Sequence, residues 1–145
     1  MTSSLSDVAI TAWARLVRAQ QGAVAGVEDA LRSAGLPPLV WYDVLLELER
    51  VGGEGLRQRE IERHTLLQRY SISRIVDRME AEGLVVRSPS PEDARGTVVR
   101  ITRKGRALRH RMWPAYAAAI EENFARHYNE TELARLASLL KPFAR

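Results

Sequence analysis

Two short helical patterns, Gln58–His64 and Gln68–Glu82, run straight into two β-branched runs, and that order leaves few folds open. The runs are Leu84-Val85-Val86 and Thr97-Val98-Val99 with Ile101, on either side of a polar loop that holds Pro89, Pro91 and Gly96. Together they read as a hairpin with a long loop, and Gly83 before them suits the C-terminal cap of a helix. A helix pair followed at once by a hairpin is the plan of a winged helix. In such folds the second helix enters the major groove of duplex DNA and the hairpin loop reaches the neighbouring minor groove.

Helical stripes flank this segment on both sides. Leu5, Val8, Ala12, Leu16, Ala19, Ala23, Val27 and Leu31 recur at spacings of three and four, which keeps them on one helix face. Ser4 with Asp7 suits a capping box at its start, and Gly35 followed by Pro37 suits its end. A second helix is expected from Pro37–Pro38 through Trp41, Val44, Leu45 and Leu48 to Val51, broken by Gly52 and Gly53. After the hairpin a long helix resumes at Lys104, with Leu108, Met112, Ala115, Ala119, Ile120 and Phe124 as its stripe. A last helix, capped by Asn129 with Glu132 three residues on, presents Leu133, Leu136 and Leu140. The expected fold is mainly α with a small β-hairpin wing.

The charge follows the same division. Leu56 to Arg111 holds 14 Arg/Lys against 7 Asp/Glu, whereas the rest of the chain holds 8 against 11, so the basic character belongs to the winged part. A basic middle between neutral-to-acidic ends is the footprint of a nucleic-acid surface, and a solvated charged surface is the competing reading. With no cysteine there is no disulfide framework, thiolate zinc site or thiol redox sensor. His64, His110 and His127 are too scattered for a metal motif, and the adjacent Glu121 and Glu122 do not converge on one atom. No nucleophile–base constellation, Gly-rich phosphate loop or nucleotide fingerprint is present, so neither an enzyme nor a cofactor is expected. No apolar run approaches a membrane span and the polar stretch Met1–Asp7 reads as no signal peptide, so a cytoplasmic protein is expected.

The second helix of the pair carries Ile72, Ile75, Val76 and Met79 as an inward stripe, which leaves Arg69, Ser71, Ser73, Arg74 and Arg78 outward or lateral, with Gln68 at its start. Short hydroxyls and guanidinium forks near a helix N-terminus are what groove readout requires: Ser bonds a base edge or a phosphate, and Arg grips guanine through O6 and N7. The wing runs from Arg87 to Thr102 and carries Asp93, Arg95 and Arg100.

The run Gly83-Leu84-Val85, then Asp93-x-Arg95, then Val99-x-Ile101-Thr102 and Lys104-Gly105, resembles the signature of the MarR family. Trp41-Tyr42-Asp43-Val44-Leu45 resembles the second helix of that family, and the spacing from Ile61 to Gly83 fits without a gap. The resemblance covers essentially the whole chain. It implies a single domain over residues 1–145: a winged helix-turn-helix at 37–103, with dimerisation helices at 5–34 and 104–145. It further implies a two-fold homodimer whose first, fifth and sixth helices interleave, each winged helix reading half of a pseudo-palindromic operator in double-stranded DNA. Carried over to this sequence, Arg95 is the wing-tip arginine of the minor groove, where a narrow A·T-rich groove concentrates negative potential. Asp93 is the carboxylate that braces the wing. Glu62, Leu66 and Gln68 depart from the family pattern of a small alanine, a turn glycine and a Ser/Thr cap. The missing cap implies a recognition helix that starts raggedly or one turn later.

The family also has a cleft between its dimerisation and DNA-binding regions. Trp13, Trp41, Tyr42, Trp113 and Tyr116 lie on the helices that line it, so a small aromatic effector is expected there, with Arg18 or His64 as a carboxylate partner. Core and interface packing is the competing reading of the same aromatics. The function expected is a repressor modulated by such an effector, the alternative being a winged-helix protein-interaction module or subunit without its own operator.

Overall fold

A computed structural model describes residues 4–65, 71–93 and 96–144. The described elements are α1 (Asp7–Ser33), α2 (Leu39–Val51), β1 (Leu56–Arg57), α3 (Gln58–His64), α4 (Ile72–Ala81), β2 (Val85–Pro89), β3 (Thr97–Ile101), α5 (Arg103–Asn123) and α6 (Glu130–Leu139). They form two compact units, Leu31–Ala115 and Met1–Ala30 with Tyr116–Arg145.

The Leu31–Ala115 unit is organised around α2. Val40, Val44, Leu45 and Leu48 on that helix are at most 1% exposed, and they share a core with Leu31, Ile61, Val76, Met79, Val99 and Met112. Helix α1 ends as its sequence indicates. Gly35 takes a left-handed φ of 70°, and the Leu36 amide closes back on the Leu31 carbonyl at 2.9 Å. The same device ends α4. Gly83, at φ 77°, donates to the Glu80 carbonyl at 3.0 Å and Leu84 donates to the Met79 carbonyl at 2.8 Å.

The sheet contains the expected hairpin, β2 with β3, and one strand more. Its order is β1-β3-β2, all antiparallel, so β3 is a central strand paired with Leu56–Arg57 on one side and Val85–Pro89 on the other. Gly55 makes the extra strand possible. Its φ is 69°, and a Cβ there would lie 2.5 Å from the Val99 carbonyl oxygen, so any side chain would push β1 off the sheet.

Three other boundaries move. The α1 cap is Ser6, whose Oγ accepts the Ala9 amide at 3.1 Å, in place of the expected Ser4. Phe124 is not a member of the α5 stripe, because the helix closes at Asn123 and Phe124 turns away at φ −143°, ψ −66°. Helix α4 begins at Ile72 with Ser71 as its N-cap residue, while the expected start, Gln68, lies outside the described residues.

In the second unit Val27 and Ala119 are buried. Helix α6 starts with the expected reciprocal cap: Asn129 Oδ1 accepts the Glu132 amide at 2.8 Å, and Glu132 Oε1 accepts the Asn129 amide at 3.0 Å. The front of the first stripe is left in the open, with Leu5 and Val8 67% and 79% exposed, and Trp13 nearby on α1 is 67% exposed.

Candidate nucleic-acid interface

Helix α4 is two-faced. Ile72, Ile75, Val76 and Met79 are buried, which fixes the helix against the core and turns Ser73, Arg74, Asp77 and Arg78 outward. Ser71, Ser73 and Arg74 sit exposed in its first turn, and Arg74 makes no ion pair among the described residues. Arg78, one turn further on, has its guanidinium carbon 5.6 Å from the centre of the Trp41 ring on α2, a cation–π contact that engages it in the fold. Of the remaining expected contacts, Gln68, Arg69 and Arg95 lie outside the described residues.

The wing is held at both edges. Arg100 on β3 donates from Nη1 to Ser88 Oγ across the hairpin and from Nε to the Gly53 carbonyl at 2.7 Å. The loop folds over Ser90, which is 8% exposed. The Ser90 amide donates to the Gly96 carbonyl at 2.8 Å, while its Oγ accepts from the Glu92 amide and from Arg57 Nη2, both at 3.4 Å. Asp93, the expected brace, accepts the Gly96 amide on its backbone carbonyl at 2.9 Å, and its side chain is exposed. At its base the wing is joined to α5 by Thr102. Its hydroxyl contacts the Gly83 and Leu84 carbonyls at 2.7 and 3.0 Å and accepts the Gly105 amide at 3.1 Å.

Of the five aromatic residues, three have contacts within the Leu31–Ala115 unit. Trp41 and Tyr42 are neighbours on α2 and both are buried, but Trp41 meets Arg78 while Tyr42 stacks on Trp113 of α5 at 6.0 Å and 23°. Trp13 and Tyr116 belong to the other unit. Arg18 and His64 are exposed.

Beside Tyr42 lies a cluster that the sequence did not reveal. Arg109 binds the Glu49 carboxylate through Nε, donates to the Tyr42 hydroxyl at 3.2 Å and lies 5.8 Å over the Tyr42 ring, and His110 Nε2 is 3.3 Å from Glu49. Burial pushes the Glu49 carboxyl up. Hydrogen bonds and charge from Arg109 and His110 outweigh that and leave it below the ordinary carboxylate range. The hydrogen bond to Glu49 in turn holds the Arg109 guanidinium above its ordinary value.

The sign follows from the direction. A depressed carboxyl adds stability above its unfolded pKa and loses it as pH falls through the folded one. Glu49→Gln is therefore expected to destabilise the protein at neutral pH, and the gap to the parent should close as pH falls through that acidic window. Urea unfolding of both proteins from neutral to acidic pH checks this, and a gap that stays constant would refute it.

Among the described residues no group of three metal-ligating side chains exists, and no helix is long and apolar enough to cross a membrane.

The pattern of the MarR family matches residues 34–96, which takes in α2, α3, α4, β2 and the wing loop. The HTH-type transcriptional regulator MhqR of Bacillus subtilis (strain 168) is 35% identical over 100 residues, covering 69% of this chain and 67% of MhqR. The chain belongs to the MarR family. It is thus a winged-helix transcriptional regulator. The HTH-type transcriptional repressor IacR of Pseudomonas putida is 37% identical over 82 residues, which are 57% of this chain and 48% of IacR, so the match spans about half the length of that relative. The MarR-family fold is also that of Sco3205 from Streptomyces coelicolor, solved in complex with DNA. Its TM-score is 0.86 at 21% identity, over 99% of this chain and 89% of that one. Both relatives are regulators of transcription.

Proposed function

We propose that this MarR-family protein is a homodimeric, cytoplasmic repressor that reads a pseudo-palindromic operator in double-stranded DNA through α4 and the wing. The observation that carries the reading is the first turn of α4, where Ser73 and Arg74 stand exposed on a helix whose opposite face is packed into the core. A helix fixed from behind and armed with a hydroxyl and a guanidinium at its N-terminal end is suited to base edges in the major groove. Ser71 completes that turn. Gln68, Arg69, Arg78 and the wing-tip Arg95 complete the proposed contact set, with Asp93 bracing the wing and residues 37–103 forming the DNA-binding part. IacR, a repressor, supports the sign of regulation.

The release signal is proposed to be a small aromatic effector recognised by Trp13, Trp41, Tyr42, Trp113 and Tyr116. Tyr42 and Trp113, already stacked on one another, are the best supported of the five. A winged helix used only as an interaction module is the second reading. It is disfavoured because such a module has no use for exposed cations on its second helix.

The test is selection of duplexes from a random pool by the purified protein. The expected product is an inverted repeat with half-site centres roughly 10 bp, or a multiple of that, apart. Binding should fall steeply with salt, as phosphate contacts demand. A single asymmetric half-site would refute the two-fold arrangement, and no enrichment at low salt would favour the interaction module.

A further inference from the structure

The outer face of α4 carries a contradiction. Asp77 lies four residues after Ser73 and three after Arg74, and Glu80 lies three further on, so the stripe that begins with the proposed readers ends in two carboxylates. Both are exposed, with side chains 62% and 42% accessible. Negative groups in the last turns of a helix oppose its dipole, and on a face turned to DNA they oppose the phosphates as well. One side chain answers both. Arg87, on β2, places Nη1 2.7 Å from Asp77 Oδ1 and 3.3 Å from Glu80 Oε1. The grip is doubled at the backbone, where the Arg87 amide donates to Glu80 Oε2 at 3.1 Å. The Arg87 side chain is only 23% exposed, so its charge is directed at the two carboxylates more than at solvent.

Resting on the reading of α4 as the DNA-facing helix, we infer that Arg87 is a positioning residue for operator binding: it neutralises Asp77 and Glu80 and ties the wing to the recognition helix without itself touching DNA. A cation placed between two carboxylates one turn apart removes repulsion that the reading face would otherwise present. Because it stands on a wing strand, the same contact makes helix and wing move together.

The experiment uses the full-length protein and the duplex enriched by selection, with binding measured over a range of salt concentrations and folding followed by thermal melting. Arg87→Gln is expected to weaken binding roughly tenfold or more. The slope of log affinity against log salt should stay unchanged, because no phosphate contact is lost. Asp77→Asn and Asp77→Asn with Glu80→Gln, each added to Arg87→Gln, should restore most of the affinity by removing the exposed carboxylates. Rescue of this kind is not expected of a residue that merely stabilises the fold.

Unchanged binding of Arg87→Gln overturns the inference. So does a loss with a slope lower by about one and no rescue, which would make Arg87 a phosphate contact. A loss that follows the melting temperature and is not rescued overturns it too, in favour of a purely structural role. Arg74→Ala, measured in parallel, separates this inference from the reading beneath it. If that variant binds like the parent, both fall; if it is impaired while Arg87→Gln is not, only the role of Arg87 falls.

Discussion

Arg74→Ala is expected to weaken binding to the selected operator by about 1–3 kcal/mol and to relax the preference at one base pair in each half-site. Arg74 stands exposed in the first turn of α4, the end proposed to enter the groove. A fork in that position grips a guanine edge, and alanine leaves the edge unread. Arg95, proposed at the wing tip, should behave differently. It would act through minor-groove potential and phosphate, so Arg95→Ala should weaken specific and scrambled duplexes by similar factors and lower the salt slope by about one. The two variants, titrated against both duplexes over a salt series, test the division of labour. If Arg95→Ala abolishes the specificity ratio and Arg74→Ala spares it, the roles are reversed. Neither change should unfold the protein, since Arg74 has no part in the core.

A larger effect is expected from the terminal helices. Leu5 just before α1 is 67% exposed, Val8, Ile10 and Trp13 on α1 are 79%, 49% and 67% exposed, and Leu139 and Phe143 are 65% and 75% exposed near the C-terminus. Burying one such side chain is worth about 1.5–3 kcal/mol, so leaving six in water is a substantial cost that a second copy of the chain would remove. The protein should therefore sediment as a dimer at micromolar concentration. Val8→Glu combined with Trp13→Glu should dissociate it or drive it to aggregate, with DNA binding lost as the half-sites are uncoupled. Removal of Asn129–Arg145 should have the same outcome. Removal of Met1–Leu5 should be tolerated, because the α1 cap is Ser6. A parent protein that sediments as a monomer would refute the proposal directly.

The elements were legible in the sequence where the physics is local. Stripes at helical spacing, glycines that close helices and the Asn129–Glu132 cap each depend on residues a few positions apart, and each is present. Strand β1 was not legible, because two residues between Gly55 and α3 are too few to show a period of two. The N-cap of α1 was misplaced by two positions among Ser3, Ser4 and Ser6, where every hydroxyl is a plausible cap.

Of the candidate site, the outward face of α4 followed from its period, whereas what its charged residues do did not. Arg78 reads as an outward cation, and its contact with Trp41 comes into view only in the fold; Arg87 reads as a surface cation until Asp77 and Glu80 close around it. The Glu49–Arg109 pair spans 60 positions, a separation at which no spacing rule operates. Trp41 and Tyr42 are adjacent on a helix and so point about 100° apart, which here turns one to Arg78 of α4 and the other to Trp113 of α5, a pairing that no spacing in the sequence indicates.

The lock at the base of the wing also governs how a lineage of such proteins can change in length. Val85 is paired with Ile101 and Pro89 with Thr97, and Thr102 fastens the end of β3 to the Gly83 and Leu84 carbonyls. A single inserted residue within β2 or β3 would flip every side chain beyond it to the opposite face, exposing Val98 or Val99 and dismantling the grip of Arg100. The strand register ends at the Pro89–Thr97 pair and does not extend into the segment between them. Insertions and deletions should collect there, so wings of different reach can arise on an unaltered base, and operator preference can drift by the length of a loop without any substitution in α4.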